Sequence, residues 1–408
     1  MYLDEVVAAQ KRGEAKGITS VCSAHPYVIR QALKTFENPL IEATCNQVNQ
    51  FGGYTGMTPK DFVLFVRGIA EEAGVPFEKI ILGGDHLGPN VWKSEPAQSA
   101  MQKSEVMIRD YVQAGFTKVH LDCSMKLADD PQGPLDIEVI AQRAARLAKV
   151  AEQFGNNSLR YIIGTEVPVP GGATEHEEGV SVTKVEDVEQ TIQVTREAFL
   201  NEGIESAWER VVGVVVQPGV EFGDDFVLPY QPEAMRGISG FIESQSMIYE
   251  AHSTDFQTCD ALQNMVRDHF AILKVGPALT FAFREAVFAL AMIENELIAH
   301  DQRSNIIQIL DEVMVKHPEH WKGYYHGTKE ELIFKRKYSL SDRVRYYWVW
   351  YEVQKALKRL LMNLGNNVLP YSLLRQFVGD IGLTAAQVIT MKIGRILENY
   401  FVSSNNIA

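Results

Sequence analysis

The chain has 408 residues, 46% of them hydrophobic, and a net charge of −13. That length permits two or three domains, although a large barrel of about 250 residues folds as one. The excess of acid excludes non-specific nucleic-acid binding and attraction to an anionic membrane surface, while a local positive spot remains enough for a small anionic substrate. No basic n-region followed by a long apolar run opens the chain, and no stretch approaches ~18 uninterrupted apolar residues, so neither a secretory signal nor a membrane span is expected. Cys22, Cys45, Cys123 and Cys259 lie far apart without zinc-knuckle spacing, and they read as reduced thiols of a cytoplasmic protein.

Eight short β-rich runs follow in order, at residues 19–25, 40–47, 79–86, 118–125, 160–167, 212–219, 247–254 and 270–279. Each is mostly apolar through its body, as a parallel strand buried on both faces should be. Segments with helical periodicity lie between most of them, at 59–74, 97–115, 137–154 and 185–202, and Gly74, Gly115, Gly155 and Gly203 stand where these should stop. Such alternation predicts right-handed βαβ units, and eight repeats predict an α/β protein closed as a (β/α)8 TIM barrel. An open doubly wound sheet is the alternative, but Val21-Cys-Ser-Ala-His-Pro26 is not the Gly-rich loop expected after its first strand. Residues 281–300 then read as the closing helix, which puts the barrel at 1–300 and a helical C-terminal extension at 301–408.

In such barrels chemistry sits at the carboxyl ends of the strands. Those ends offer His25, then Glu42, Asn46 and Gln47, then Asp85, His86 and Asn90, then Asp122 and Ser124, then Glu166, then Gln217 and Gly219, then Glu250, His252, Ser253 and Thr254, and finally Lys274 and Gly276. Closure brings all of these to one mouth. Two imidazoles, a carboxylate and an amide at one centre suit a divalent metal such as Zn²⁺, which polarises a carbonyl. His25 and His120 read instead as hydrogen-bonded packing residues. Backbone amides near Gly219, Ser253, Thr254 and Gly276 mark the phosphate site usual after strands six to eight. Lys274 reads as a phosphate contact or ion-pair partner, and Arg343 and Arg345 lie beside aromatics on a segment able to reach over the mouth.

Several stretches carry a resemblance across the whole barrel. They include Leu40-Ile-Glu-Ala-Thr-Cys-Asn-Gln-Val-Asn-Gln-Phe-Gly-Gly-Tyr54, Ile81-Leu-Gly-Gly-Asp-His-Leu-Gly-Pro-Asn90, His120-Leu-Asp-Cys-Ser-Met125, Val216-Gln-Pro-Gly-Val-Glu-Phe222, Glu250-Ala-His-Ser-Thr-Asp-Phe-Gln-Thr258 and Ala271-Ile-Leu-Lys-Val-Gly-Pro277. Together they resemble the Z-type subunit of bacterial tagatose-1,6-bisphosphate aldolase. The resemblance implies a class II aldolase-type barrel acting on a ketohexose phosphate in galactitol and N-acetylgalactosamine catabolism. It also implies an oligomeric assembly and a separate catalytic class II aldolase subunit as partner. It maps a zinc histidine onto His86, a proton-transferring aspartate onto Asp85, and a second zinc histidine onto His252. Gln217 stands where the catalytic aldolases carry a third histidine, with Glu166 as a compensating carboxylate. The expected metal set is therefore His86, Glu166, Gln217 and His252. Asp85, Glu42 and Asp122 are the expected catalytic residues. Asn46, Asn90, Ser124, Gly219, Ser253, Thr254, Lys274, Gly276 and Arg343 are expected on substrate or phosphate. Two alternatives stand beside an aldolase component: a stand-alone tagatose 6-phosphate/fructose 6-phosphate 4-epimerase working by retro-aldol and aldol steps, and a chaperone-like stabilising subunit.

Overall fold

The structure, a computed structural model, describes residues 1–165 and 180–405. Eight parallel strands close into a barrel in chain order: β1 (Ile18–Cys22), β2 (Leu40–Thr44), β3 (Ile81–Leu87), β4 (Lys118–Leu121), β5 (Arg160–Ile163), β6 (Val211–Val215), β7 (Ile248–Ala251) and β8 (Phe270–Val275), with β8 pairing back onto β1. This is the (β/α)8 barrel expected from the alternation. Most strands end several residues sooner than their sequence pattern suggests. The polar residues at the tips leave the ladder and turn into the mouth, where side-chain partners replace backbone ones.

The helices are set by local chemistry. Thr58 and Asp61 form a reciprocal cap at the start of Pro59–Ala73, and Gly74 ends that helix at φ +70°. Gly115 ends Ala97–Ala114 at φ +105°, a conformation that costs any residue with a Cβ more than it costs glycine.

Two more helices complete the scaffold, the first unread in the sequence and the second within the extension expected to be helical. Helix Tyr2–Lys11 plugs the amino-terminal end of the barrel: Leu3 and Val6 are fully buried against Ile18, Leu40, Ile81, Ile162, Val212 and Ile248. The C-terminal helix Ala385–Ser404 packs between Pro26–Thr35, which follows β1, and Cys259–Arg267, which follows β7. That is the place of the eighth barrel helix. The segment expected to close the barrel, residues 281–300, lies mostly in helix Pro277–Leu297, which packs against the outer side of Ala385–Ser404 and against the extension's helices Ile306–Lys316 and Tyr351–Leu364. Residue 300 therefore does not separate barrel from appendage. The last helix is tied in by Gly17 N–H donating to Ser404 O (2.7 Å) and by Tyr400 Oη donating to Thr254 O (2.8 Å). No helix among the described residues is long and apolar enough to cross a membrane.

Candidate active site

Alternation along the strands builds the site. In Lys118-Val-His-Leu-Asp122 the polar residues fall at every second position, so Lys118, His120 and Asp122 share the inner face of β4 and its tip. Glu250 and His252 do the same at β7, and Glu42 projects from β2. Gly83 makes room for Glu42, since a Cβ there would meet its carboxylate at 2.6 Å.

The deepest layer is an ion-pair cage. Lys118 Nζ lies 2.5 Å from Glu42 Oε1 and 2.6 Å from Glu250 Oε2, and all three side chains are fully buried. Above it, Lys274 Nζ contacts Glu42 Oε2 at 2.8 Å, Glu250 Oε1 at 3.6 Å and Asp85 Oδ1. Burial pushes the Lys274 amine down, but Asp85, Cys22, Glu42 and Glu250 carry it well above the ordinary lysine value. It is an ammonium ion and not an amine nucleophile.

Three imidazoles stand over this cage, each paired to a carboxylate. His86 Nδ1 lies 2.8 Å from Asp122 Oδ2, His120 Nδ1 2.9 Å from Asp85 Oδ1, and His252 Nε2 2.9 Å from Glu250 Oε1. An ionised carboxylate only accepts, so the pairings assign a ring proton to His86 Nδ1 and His252 Nε2, while His120 Nδ1 faces both Asp85 Oδ1 and the His86 backbone N–H, which donates to it at 3.2 Å. His252, driven neutral by burial, keeps a lone pair on its other nitrogen, whereas at His86 burial is outweighed by Asp85 and Asp122, which raise it above the ordinary histidine value. His120 Nε2 is buried with no hydrogen-bond partner. The ring centroids lie 4.9–5.1 Å apart. Carboxylate-oriented imidazoles of this kind are how metal ligands are held. Burial and the Lys274 charge push His252 down to about 3, so it is neutral, as a ligand must be. Burial opposes the charged form of Asp85 too, yet His86, Lys274, His120 and His252 hold its carboxyl well below the usual range.

The donor chemistry fits a divalent cation. Ligand atoms of Asp85, His120, Glu250 and His252 lie within 4.8 Å of one another. Four carboxylates (Glu42, Asp85, Asp122, Glu250) outnumber the two ammonium groups (Lys118, Lys274) and the raised His86 that face them, an excess of acid that a cation would balance. Backbone strain collects here as well: His86 has φ +47° and Ser253 φ +55°, conformations that persist only where surroundings over-determine them.

Over the cluster opens a cavity of ≈ 670 Å³, its open end included, lined by Asp85, His86, His252 and Lys274 together with Tyr54, Asp255, Arg345 and Tyr346. The chain matches, over residues 3–403, the family described as D-tagatose-1,6-bisphosphate aldolase subunit GatZ/KbaZ-like. It belongs to that family. The proteins called D-tagatose-1,6-bisphosphate aldolase subunit GatZ from Salmonella paratyphi B and Salmonella typhimurium are both 53% identical over 415 residues, covering 98% of each chain. A crystal structure described as a probable tagatose 6 phosphate kinase from Sinorhizobium meliloti 1021 is 44% identical, with a TM-score of 0.88 over 95% of this chain and 100% of that one.

Set in this GatZ/KbaZ-like barrel, the sequence expectations divide. Asp85, His86, His252, Lys274, Asn46, Ser253 and Gly276 line the cavity, and Glu42 lies beneath it. Asp122 faces His86, and its other oxygen accepts from Ser124 N (3.1 Å) and Oγ (2.6 Å). Both residues therefore orient an imidazole and neither lines the cavity. Gln217 Oε1 accepts from Gly219 N–H at 2.9 Å, so these two close their own turn. Thr254 is fully buried and donates to Lys274 O at 2.5 Å, tying strand to strand. Asn90, in the turn Pro89–Trp92, does not reach the cavity lining. Arg343 lines an adjoining groove, while Arg345 reaches the cavity itself. Glu166 lies outside the described residues.

His120, read as a packing residue, is the correction that matters most. It supplies the third imidazole, from strand four and not strand six. Lys118, Glu250 and Asp255 also went unassigned. Polar residues at every second position of otherwise apolar strands were the available signal for the first two.

Proposed function

We propose that this chain is a component of a D-tagatose-1,6-bisphosphate aldolase and carries a cation-supported, aldol-type site of its own for ketohexose phosphates. One observation carries the reading: three carboxylate-paired imidazoles sit together over a buried cluster in which carboxylates outnumber cationic groups. His86, His120 and His252, with Asp85 and Glu250, would hold a divalent cation. Bound there, it would supply the positive charge that polarises a ketose carbonyl.

The remaining steps belong to the chain's own groups. Asp85 Oδ1 is engaged by Lys274 and His120, while Oδ2 has only His86 Nε2 near it, at 3.7 Å. That oxygen would accept the C4 hydroxyl proton whose removal opens the C3–C4 bond. Lys274, held as an ammonium ion at the cavity floor, stabilises negative charge developing on the substrate oxygens. Burial keeps bulk water from competing for these contacts. Return of that proton to C3 of the enediolate, with release of both fragments, is aldolase chemistry, and re-addition to the other aldehyde face, with the proton returned to the C4 oxygen, is 4-epimerisation.

The test is turnover of tagatose 1,6-bisphosphate, tagatose 6-phosphate and fructose 6-phosphate by the purified chain, alone and with a class II aldolase partner. Turnover that needs a divalent cation and falls about a hundredfold or more in His120→Ala, with bound metal lost in the same variant, is the expected result. Interconversion of the two monophosphates without partner selects the epimerase reading. Turnover seen only with a partner, and unchanged in His120→Ala and Asp85→Asn, would overturn the proposal of a site on this chain.

A further inference from the structure

The turn Arg343–Tyr346, in the C-terminal extension, brings two arginines to the barrel mouth. Arg345 lines the main cavity, and Arg343 lines the groove that adjoins it; the two spaces share Asn46, Tyr54 and Tyr346. Among the described residues neither guanidinium has a carboxylate within 4.0 Å. Arg343 donates to His320 O at 3.0 Å, and Arg345 donates to Asp342 O at 3.1 Å, to Ser341 O and to Tyr346 Oη at 3.1 Å. These acceptors orient the side chains without neutralising them. Arg343 is 3% exposed, and its Nε is buried without a partner. The unbalanced charge is felt nearby: burial pushes the Tyr346 phenol up, yet Arg345 and Arg343 bring it below the ordinary tyrosine value.

Across the mouth the opposite holds. The head of helix Pro277–Leu297 follows β8, where barrels of this kind usually take a phosphate on backbone amides. Here Gly276 N–H and Ala278 N–H both donate to Asp255 Oδ1, at 3.1 and 2.7 Å. Asp255 is 3% exposed and lines the same cavity. An anion built into the chain already occupies those amides.

We propose that Arg345 and Arg343 of the extension form the phosphate anchor of this site, and that Asp255 closes the strand-eight amides to a second phosphate. The identity of the sugar rests on the ketohexose-phosphate reading; the anchor itself does not. A phosphate group supplies the two negative charges and the bidentate acceptor geometry that guanidinium groups match. It follows that a second phosphate adds little: a bisphosphate and a monophosphate of one sugar should bind the full chain alike.

Titration calorimetry on the full-length chain tests this with fructose 6-phosphate, fructose 1,6-bisphosphate, fructose and inorganic phosphate, each with a chelator present so that the cation-dependent turnover does not contribute heat. In the unaltered chain the two sugar phosphates should agree within about threefold, and Arg345→Gln should weaken both by about tenfold or more. Arg345→Lys, which restores the charge without the fork, should recover part of that loss, which separates an anchor from a folding defect. Asp255→Ala, which removes the oxygen from those amides, should tighten the bisphosphate alone. Should the sugar phosphates fail to bind while inorganic phosphate binds and is lost in Arg345→Gln, the anchor stands and the sugar reading falls. Phosphate affinities unchanged in a folded Arg345→Gln chain, no phosphate binding of any kind, or a bisphosphate bound more than about tenfold tighter by the unaltered chain, would overturn the proposal.

Discussion

Lys118 is fully buried on the inner face of β4, and its ammonium serves Glu42 and Glu250 together. Substituting it by methionine keeps the volume but strands two carboxylate oxygens inside the barrel. Breaking a buried pair by removing one partner costs about 3–5 kcal/mol, so Lys118→Met should lower the urea midpoint by that equivalent. Adding Glu250→Gln should recover part of the loss, because a neutral amide needs no counter-charge. Equal midpoints for Lys118→Met and the unaltered chain would show that the cage contributes nothing to stability. The residue types here were visible in the sequence. A lysine inside an apolar strand announces an ion pair, but its partners lie 76 and 132 positions away on β2 and β7, and only barrel closure selects them. His120 illustrates the same limit. Alone on its strand it reads as a satisfied core histidine. Beside Asp85 and His252 it becomes one of three imidazoles at the barrel mouth, with a buried Nε2 that has no hydrogen-bond partner among the described residues.

Ala385–Ser404 occupies the eighth helix position, while the helix that follows β8 in the chain packs outside it. Its face buries Val388, Ile389, Ile393, Leu397 and Tyr400, and its removal would expose the helices and strands it covers. A chain ending at residue 384, or at 300, should therefore be insoluble or lack cooperative unfolding by circular dichroism, whereas an appendage could be removed cleanly. A monomeric, cooperatively melting 1–300 fragment would contradict this. Eight strands were legible because a parallel strand writes its burial on both faces as an apolar run. The closing helix was not: both candidates are apolar enough to cover a barrel, and helical periodicity records that a face is buried without recording against what.

The whole molecule should be sensitive to acid, and the sign can be worked group by group for the metal-free chain. Burial, with Lys274 added at His252, pushes His25 and His252 down to about 3. Between the unfolded histidine value near 6.5 and about 3, the unfolded chain binds protons that the folded chain refuses, so stability falls as pH falls. Asp85, Asp122 and Glu250, whose carboxyls are held low against burial mainly by His86, by His86 and by Lys118 respectively, add to that loss below about pH 4. Asp255 and His86 act the other way: burial raises Asp255 to about 6, and at His86 burial is outweighed by Asp85 and Asp122, so the folded chain gains these protons first, His86 already above the unfolded histidine value. Near pH 5 two histidines outweigh one carboxyl, which predicts a net loss of about 1.4 kcal/mol per pH unit. Urea unfolding in the presence of a chelator, from about pH 7 down to pH 4, measures this slope. Constant stability across that range would show that the buried groups are not shifted as their surroundings require.

Much about this protein was settled by its sequence alone. Strand–helix alternation imposed a barrel, and the placement of polar residues at strand ends imposed a mouth carrying Asp85, His86, His252 and Lys274. These conclusions need only the period of a strand and the handedness of a crossover, both local. Tertiary structure alone decided the rest. It made His120 the third imidazole, turned Gln217 and Thr254 into structural contacts, gave the strand-eight amides to Asp255, and carried Arg345 from the extension to the cavity. Each of these depends on which side chains meet across the barrel. A side chain's partners are fixed by closure and register, whereas its type is fixed by the sequence, and chemistry needs both.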